Sequence, residues 1–413
     1  MTDSEDAEGT LLLRGARHVL PDRVADKASL LVGDGRIQSL FEEGQAAPRL
    51  PARTLDLDGL TLFPGFIDVH IHGAVGVDTM EANAEDFHRV AHFLAQNGVT
   101  AWLPTLVPAP QENYESAVRT IGEVMTHQAL HAGRVRSRQV QPRFDEGARV
   151  LGVHYEGPFV NAAQCGALRS AYFKSFVSKS DSDVLPTLPI QDSVHLITMA
   201  PEVEGGLELV RALNNRGWII SIGHTRATID LLDRAHEAGA RHMTHFMNAM
   251  TPLHHRSPGP VGWGLSRDDV TCDLIADGIH LDPLMLRLLV KLKTPNRLSL
   301  ISDAIAAAGM GDGEYNIWDE TIEVKNGRTR NARGSIAGSV ITMLDAVRMM
   351  KSLEVSEIDI AQMGATNPAR LLRIGDDCGS IEEGKRADLV ALDDAGQVHL
   401  TIISGQVAFE SPN

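Results

Sequence analysis

A chain of 413 residues, 43% hydrophobic and 22% charged, has enough apolar material for a sizeable buried core and the composition of an ordinary soluble protein. Its formal net charge of −16 argues against a general binder of nucleic acid or of an anionic membrane, since both need basic surface to neutralise phosphate; a small phosphorylated ligand needs only one or two local cations. Cys165, Cys272 and Cys378 are scattered and odd in number, no apolar run is long enough to span a bilayer, and residues 1–10 are acidic rather than signal-like, so a cytoplasmic protein without disulfides is expected.

The first sixty residues alternate short apolar runs with Gly/Asp turns, and Val32-Gly33-Asp34-Gly35-Arg36 reads as a hairpin. The last thirty do the same, which predicts a small β-sandwich assembled from both ends of the chain. From Leu62 to Ala304 the pattern changes. Eight short apolar runs follow: LFPGFIDVHIHG, VTAWLPTL, VLGVHYEGPF, VHLITMAPE, WIISIGHT, HMTHFMNAM, VTCDLIADGIH and LSLISDA. Most are separated by segments of helical period, such as DFHRVAHFLAQNG and IDLLDRAHEAGA, that end near Gly. Strands alternating with helices in this number predict a (β/α)8 barrel of the TIM type, with an open doubly wound sheet as the competitor. The expected division is 1–62 for the first part of the β-sandwich, 63–365 for the barrel and 366–413 for the second part. Residues 127–147 are polar and basic and read as a surface insertion or extended loop; residues 169–190 read as a loop over the barrel mouth.

Chemistry collects at the ends of these runs. His70 and His72 are two apart on the first strand, so both imidazoles face one side. Glu156 ends the third run, His224 the fifth, His245 the sixth and Asp303 the eighth. A lone His on an apolar strand is more often a core residue than a ligand, and an isolated H-x-H is weak evidence. A carboxylate at an apolar strand end is costly unless paired or metal-bound, however, and five strands supplying such residues at one level exceed what packing alone produces. Four imidazoles and two carboxylates form the mixed nitrogen and oxygen set that a divalent zinc or iron accepts.

At these residues the chain resembles the amidohydrolase superfamily and, within it, the N-acetylglucosamine-6-phosphate deacetylases. The resemblance rests on PGFIDVHIHG (64–73), VHYEGPFVN (153–161), SIGHTRAT (221–228), THFMNAMTPLHHRSPG (244–259), DGIHLDP (277–283) and LISDAIAAAGMGDGEY (300–315), followed by GSIAGSVITMLDAV (334–347) and TNPARLL. It implies a metal-dependent hydrolase that removes the acetyl group from an N-acetylated amino sugar. Glu156, His224 and His245 would hold the principal ion, His70 and His72 would complete a second position, and Asp303 would be the general acid and base. The ion is expected to be zinc or iron, one or two per subunit. Arg256 and His280 would bind the sugar phosphate with help from the backbone at Asn248 and Ala249, and His254 or His255 would lie near the site. In a homodimer Arg256 would come from the neighbouring subunit.

One stretch departs from the family pattern. After EGPFVN, close relatives read K-K-G-A-H, whose His contacts the substrate; here the residues are Ala163-Gln164-Cys165-Gly166-Ala167-Leu168-Arg169. Ala167 and Leu168 are therefore expected beside the substrate, with Leu168 where the His would stand and Arg169 as an adjacent donor. A Leu cannot bond to a sugar hydroxyl, so a different N-acyl amino sugar, unphosphorylated or modified, is the alternative substrate.

Overall fold

The computed structural model describes residues 10–45, 53–132 and 147–412. Among them, eight parallel strands follow one another in chain order: β1 (Phe66–Ile71), β2 (Val99–Leu106), β3 (Gly152–Glu156), β4 (Val194–Met199), β5 (Ile219–Ile222), β6 (His242–Met243), β7 (Thr271–Ile275) and β8 (Leu298–Ile301). Every residue of β1, β2, β3, β5 and β8 is buried, because helices cover one face and the barrel interior the other. That is why these segments are nearly unbroken apolar runs in the sequence. The seam between β8 and β1 closes just beyond the strand ends: Asp303 N donates to His70 O (2.9 Å) and His72 N to Ala304 O (2.8 Å). Asp68 bridges the same seam by accepting from His70 N and Ser302 N at 3.3 Å each. The architecture is a (β/α)8 barrel.

Several helices are amphipathic, and those that follow Asn83, Asp282 and Thr342 carry side-chain N-caps. α1 (Ala84–Gln96) starts at Asn83, whose side chain accepts from Glu85 N and Asp86 N while Asp86 returns a bond to the Asn83 backbone. Its buried residues Phe87, Val90, Ala91, Leu94 and Ala95 recur at helical spacing, and truncating Asn83 would cost about 1 kcal/mol. α2 (Gln111–Ala132) runs six residues into the stretch expected to be an insertion; residues 127–132 are its last turns, and 133–146 lie outside the described residues. α3 (Gly206–Asn215), α4 (Ile229–Glu237), α5 (Gly259–Ser266), α6 (Pro283–Lys293) and α7 (Met343–Ser352) complete the layer. Beneath the mouth the interior is apolar, with Ile67, Val69, Leu103, Leu196 and Ile301 packed on Ala369 and Leu372 of the closing helical segment.

The chain ends form a second layer pair. One sheet holds Arg36–Phe41, Ser29–Gly33, Leu11–Arg14 and Arg53–Asp56; the other holds Gln406–Glu410, Val398–Ile403, Leu389–Leu392, Thr61–Pro64, Arg17–Val19 and Val24–Ala25. The antiparallel pairing of Leu389–Leu392 with Thr61–Pro64 joins the two termini, and Leu13, Leu30, Ile37, Leu389 and Ile402 share the core between the sheets. The Asp34-Gly35 hairpin is present, both residues having positive φ (50° and 75°) as a two-residue turn of this type demands.

One element has no counterpart in the sequence reading. After β8 the chain builds an antiparallel three-stranded sheet, Gly313–Ile317, Glu320–Lys325 and Arg328–Asn331, beside the barrel mouth.

Candidate active site

Six side chains from five strand ends converge in two overlapping groups. Glu156 Oε1 lies 3.0 Å from both His224 Nε2 and His245 Nε2, which are 3.1 Å from each other. His70 Nε2 and His72 Nε2 are 3.2 Å apart and lie 3.3 and 3.2 Å from Asp303 Oδ1. Glu156 joins the groups, with its oxygens 3.6 Å from His70 Nε2 and 3.4 Å from His72 Nε2. All six are buried.

The arrangement fits a metal. Ligand atoms around a tetrahedral ion with bonds near 2.0–2.1 Å stand roughly 3.3 Å apart, close to the spacings here. The Nδ1 atoms of His70, His72 and His245 are buried without a hydrogen-bond partner, so hydrogen bonding alone does not account for the ring. Two triads, Glu156 with His224 and His245, and Asp303 with His70 and His72, each present three donor atoms.

Electrostatics point the same way. Burial alone would push the Glu156 carboxyl up, but the imidazoles of His70, His224 and His245 outweigh it and hold the carboxyl well below its usual range. Burial drives His70 far below the ordinary imidazole value. Burial also opposes charge on His72, yet its bond to Asp303 and the field of Glu156 raise it to about 9. Adjacent imidazoles are thus pushed apart, one toward shedding a proton and one toward keeping it.

The backbone is bent to make this ring. His224, His245 and Asp303 each lie just past a strand with φ of 47°, 30° and 51°, in the left-handed region that costs a non-Gly residue about 1–3 kcal/mol. Below the ring, His154 packs edge-on to His70, its centroid 4.6 Å away, and bonds to Val69 O (3.0 Å) and Thr198 Oγ1 (2.8 Å). Burial lowers the His154 pKa to about 3, so it supports His70 as a neutral ring.

A pocket of about 320 Å³ opens over the ring, lined by His72, Glu156, His224, His245 and Asp303 together with Ala167, Leu168, Asn248, Ala249 and His280. His280 is oriented by Asp277, whose Oδ2 accepts from Nδ1 at 2.7 Å, leaving Nε2 for the pocket. Arg256 is not brought to this pocket: it is exposed and pairs with His255 Nε2 at 2.7 Å, and His254 and His255 are exposed with it. Arg169 sits behind the pocket wall, tied to Asp319 (3.1 Å) and to Pro108 O (3.3 Å).

Trp318 is the largest of the lining residues that sequence reasoning missed, beside Ser335, Ile336 and Gly338 from the chain beyond it. It occupies the Trp318-Asp319 turn of the three-stranded sheet, both residues having positive φ (55° and 60°), and its ring meets His72 edge-on at 5.3 Å. Asn326-Gly327, between the next two strands, is a strong hairpin signal, and the buried Ile322 and Val324 alternate with exposed residues; together they could have revealed the sheet.

A (β/α)8 barrel with paired His/carboxylate triads at its mouth defines a metal-dependent hydrolase of the amidohydrolase class. Residues 61–408 match the family model described as the amidohydrolase family. The N-acetylglucosamine-6-phosphate deacetylase of Bacillus subtilis is 34% identical over 405 residues, spanning 97% of this chain and 98% of the relative. The N-acetylgalactosamine-6-phosphate deacetylase of Escherichia coli O157:H7 is also 34% identical, over 97% of this chain and 99% of its own length. The crystal structure of N-acetylglucosamine-6-phosphate deacetylase from Thermotoga maritima superposes with a TM-score of 0.83 at 32% identity, covering 97% of this chain and all of that one (100%). The chain belongs to the amidohydrolase family and, within it, to the N-acetylglucosamine-6-phosphate deacetylases.

Proposed function

We propose that this chain hydrolyses the N-acetyl amide of N-acetyl-D-glucosamine 6-phosphate, giving acetate and glucosamine 6-phosphate. The observation that carries the reading is the pair of triads, Glu156 with His224 and His245 and Asp303 with His70 and His72, in a chain that matches relatives of this activity over nearly their full length. A Mycobacterium smegmatis relative, 28% identical with a TM-score of 0.82, is solved in complex with N-acetyl-D-glucosamine-6-phosphate.

Glu156, His224 and His245 hold the principal divalent ion in this reading, and His70 and His72 with Asp303 a second. The donor set suits zinc or iron. Such an ion is a Lewis acid that brings the pKa of a water toward neutrality and polarises a carbonyl. Asp303 takes the proton of the attacking water at its carboxylate and delivers it to the departing nitrogen, which leaves as the free amine only once protonated. Water thus adds across the C–N bond, its hydroxyl ending on acetate and a proton on the amine. His280, fixed by Asp277, together with Asn248 and Ala249 receives the sugar phosphate.

Arg256 completes the phosphate site from a second copy of the chain in a homodimer. Its exposure away from its own pocket supports this, as does a stripe of exposed Leu284, Leu288 and Leu292 at i, i+4 and i+8 on α6 (71%, 41% and 55% exposed). Among the described residues no helix is long and apolar enough to cross a membrane, in keeping with a cytoplasmic enzyme. The barrel and the β-sandwich of 1–62 and 366–413 are taken as its two units; helical residues Glu357–Leu371 run across the second boundary.

The deciding experiment measures kcat/KM for acetate release from the glucosamine, galactosamine and unphosphorylated substrates on metal-quantified enzyme. Preference for N-acetylglucosamine 6-phosphate is expected. Indifference to the phosphate would overturn the substrate assignment, and no acetate from any of them would overturn the reaction.

A further inference from the structure

The pocket has two chemically different sides. The loops after β6 and β7 bring the polar side chains of Asn248 and His280, with Ala249 beside them. Across from them, the loop after β3 brings Leu168, and the hairpin after β8 carries Trp318 over to His72 at the end of β1. Leu168 is only 3% exposed despite lying on a loop. The Trp318 indole Nε1 is buried and has no hydrogen-bond partner among the described residues, so what the ring exposes to the pocket is apolar carbon.

Arginines that the reaction does not use link the two segments that carry these residues. Arg169, next to Leu168, pairs through Nη1 with Asp319, next to Trp318, at 3.1 Å. Arg333 Nη2, beyond the same hairpin, donates to Ala167 O at 3.1 Å. One close backbone approach limits the space on this side: at Gly338 (φ 54°) a Cβ would come within 2.6 Å of Ile305 Cγ2 and 2.9 Å of Asp303 O, whereas at Gly166 it would meet His224 Cε1 at an ordinary 3.6 Å.

We propose that Leu168 and Trp318 form an apolar acyl slot and are the residues that set which N-acyl group the chain removes, selecting a short unsubstituted acyl over a hydroxylated one. The inference rests on the deacetylase reading above. An amide carries the sugar on its nitrogen and the acyl chain on the far side of its carbonyl carbon. With that carbon beside Asp303 and the sugar phosphate toward Asn248 and His280, the acyl group points to the β1–β3 side, where Leu168 and Trp318 stand. A hydroxyl on the acyl group loses its water there and finds no partner in Leu168.

The test uses N-acetyl, N-propionyl and N-glycolyl glucosamine 6-phosphate with metal-quantified wild type, Leu168→Ala and Trp318→Ala, with unphosphorylated N-acetylglucosamine as a control for the phosphate side. Wild type is expected to favour acetyl over glycolyl by about 10²-fold in kcat/KM. Each alanine variant is expected to raise the propionyl-to-acetyl ratio by about tenfold, with the phosphorylated-to-unphosphorylated ratio held within about twofold. Leu168→Val and Trp318→Phe serve where an alanine variant does not fold, with smaller shifts in the same direction. A wild type indifferent to the acyl hydroxyl, or acyl ratios unchanged in folded variants of wild-type metal content, would overturn the slot while leaving the deacetylase reading intact. Absence of acetate release by wild type would overturn both.

Discussion

His224 Nε2 and His245 Nε2 stand 3.1 Å apart with the same Glu156 oxygen 3.0 Å from each. Two imidazole nitrogens at that distance, both aimed at one carboxylate oxygen, share a positive charge most simply if it is a metal ion between them. Glu156→Gln is therefore expected to lower metal content and turnover together. Loss of an outer partner at such sites already costs about 10–100-fold in metal affinity, and Glu156 is a direct ligand in this reading, so the drop should be larger. Elemental analysis of purified variants checks it, and wild-type metal content in Glu156→Gln would count against the ligand set. Chelation should also lower the melting temperature, because an ion at 100–1,000 times its Kd stabilises the folded state by about 3–4 kcal/mol.

Asp303 faces His70 and His72, not the His224–His245 pair, and Asp303→Asn should separate chemistry from metal binding. The expected outcome is a fall in kcat of about 10²–10⁴ with metal retained at the Glu156 triad. A kcat close to wild type would remove Asp303 from proton transfer.

Arg256 offers a test of assembly. Arg256→Ala should weaken use of the phosphorylated substrate by roughly 10–100-fold, as expected for a charge-assisted bond of about 1.5–3 kcal/mol, and spare the unphosphorylated one. Mixing Arg256→Ala chains with Asp303→Asn chains should restore activity, since one of the two sites in the mixed dimer has both residues. No restoration in mixtures shown to exchange subunits would place Arg256 outside the partner's site. Leu288→Glu, in the α6 stripe, is expected to yield monomers by analytical ultracentrifugation and to lose activity in parallel with Arg256→Ala.

A pH effect on stability follows from His18, fully buried in the strand Arg17–Val19, with Nδ1 3.1 Å from Ala16 O and Nε2 unpartnered. Burial lowers its pKa from 6.5 to about 4. Between those values the unfolded chain binds a proton that the folded chain refuses, so this contribution is full above pH 6.5, falls as pH drops toward 4 and then levels off. The loss is on the order of 3 kcal/mol. His18→Leu should flatten the decline relative to wild type in urea titrations across that range; parallel slopes for the two proteins would show that His18 does not carry it.

The barrel was legible because its strands are buried on both faces, which makes them countable as apolar runs. The ring was legible because His70, His72, Glu156, His224, His245 and Asp303 interrupt those runs at their ends, where an unpaired polar group is costly. The hairpin sheet was not, since Gly313–Asn331 buries few side chains and its strands have no long apolar run. Nothing local announces that Trp318 reaches back to His72 across more than 200 residues of chain. The extent of α2 was obscured because residues 127–130 bury no apolar side chain that would carry its helical stripe onward.

The seam between β8 and β1 is tied by backbone bonds from His72 and Asp303 themselves, so two residues assigned to the chemistry in the proposed reading also fasten the cylinder. Loosening the ring releases the circumference at the one joint that no strand ladder spans. In deuterium exchange, the amides of His72 and Asp303 should therefore slow when the centre is loaded, well before the rest of the sheet responds. With that result, arming the enzyme and tightening the barrel would be one event.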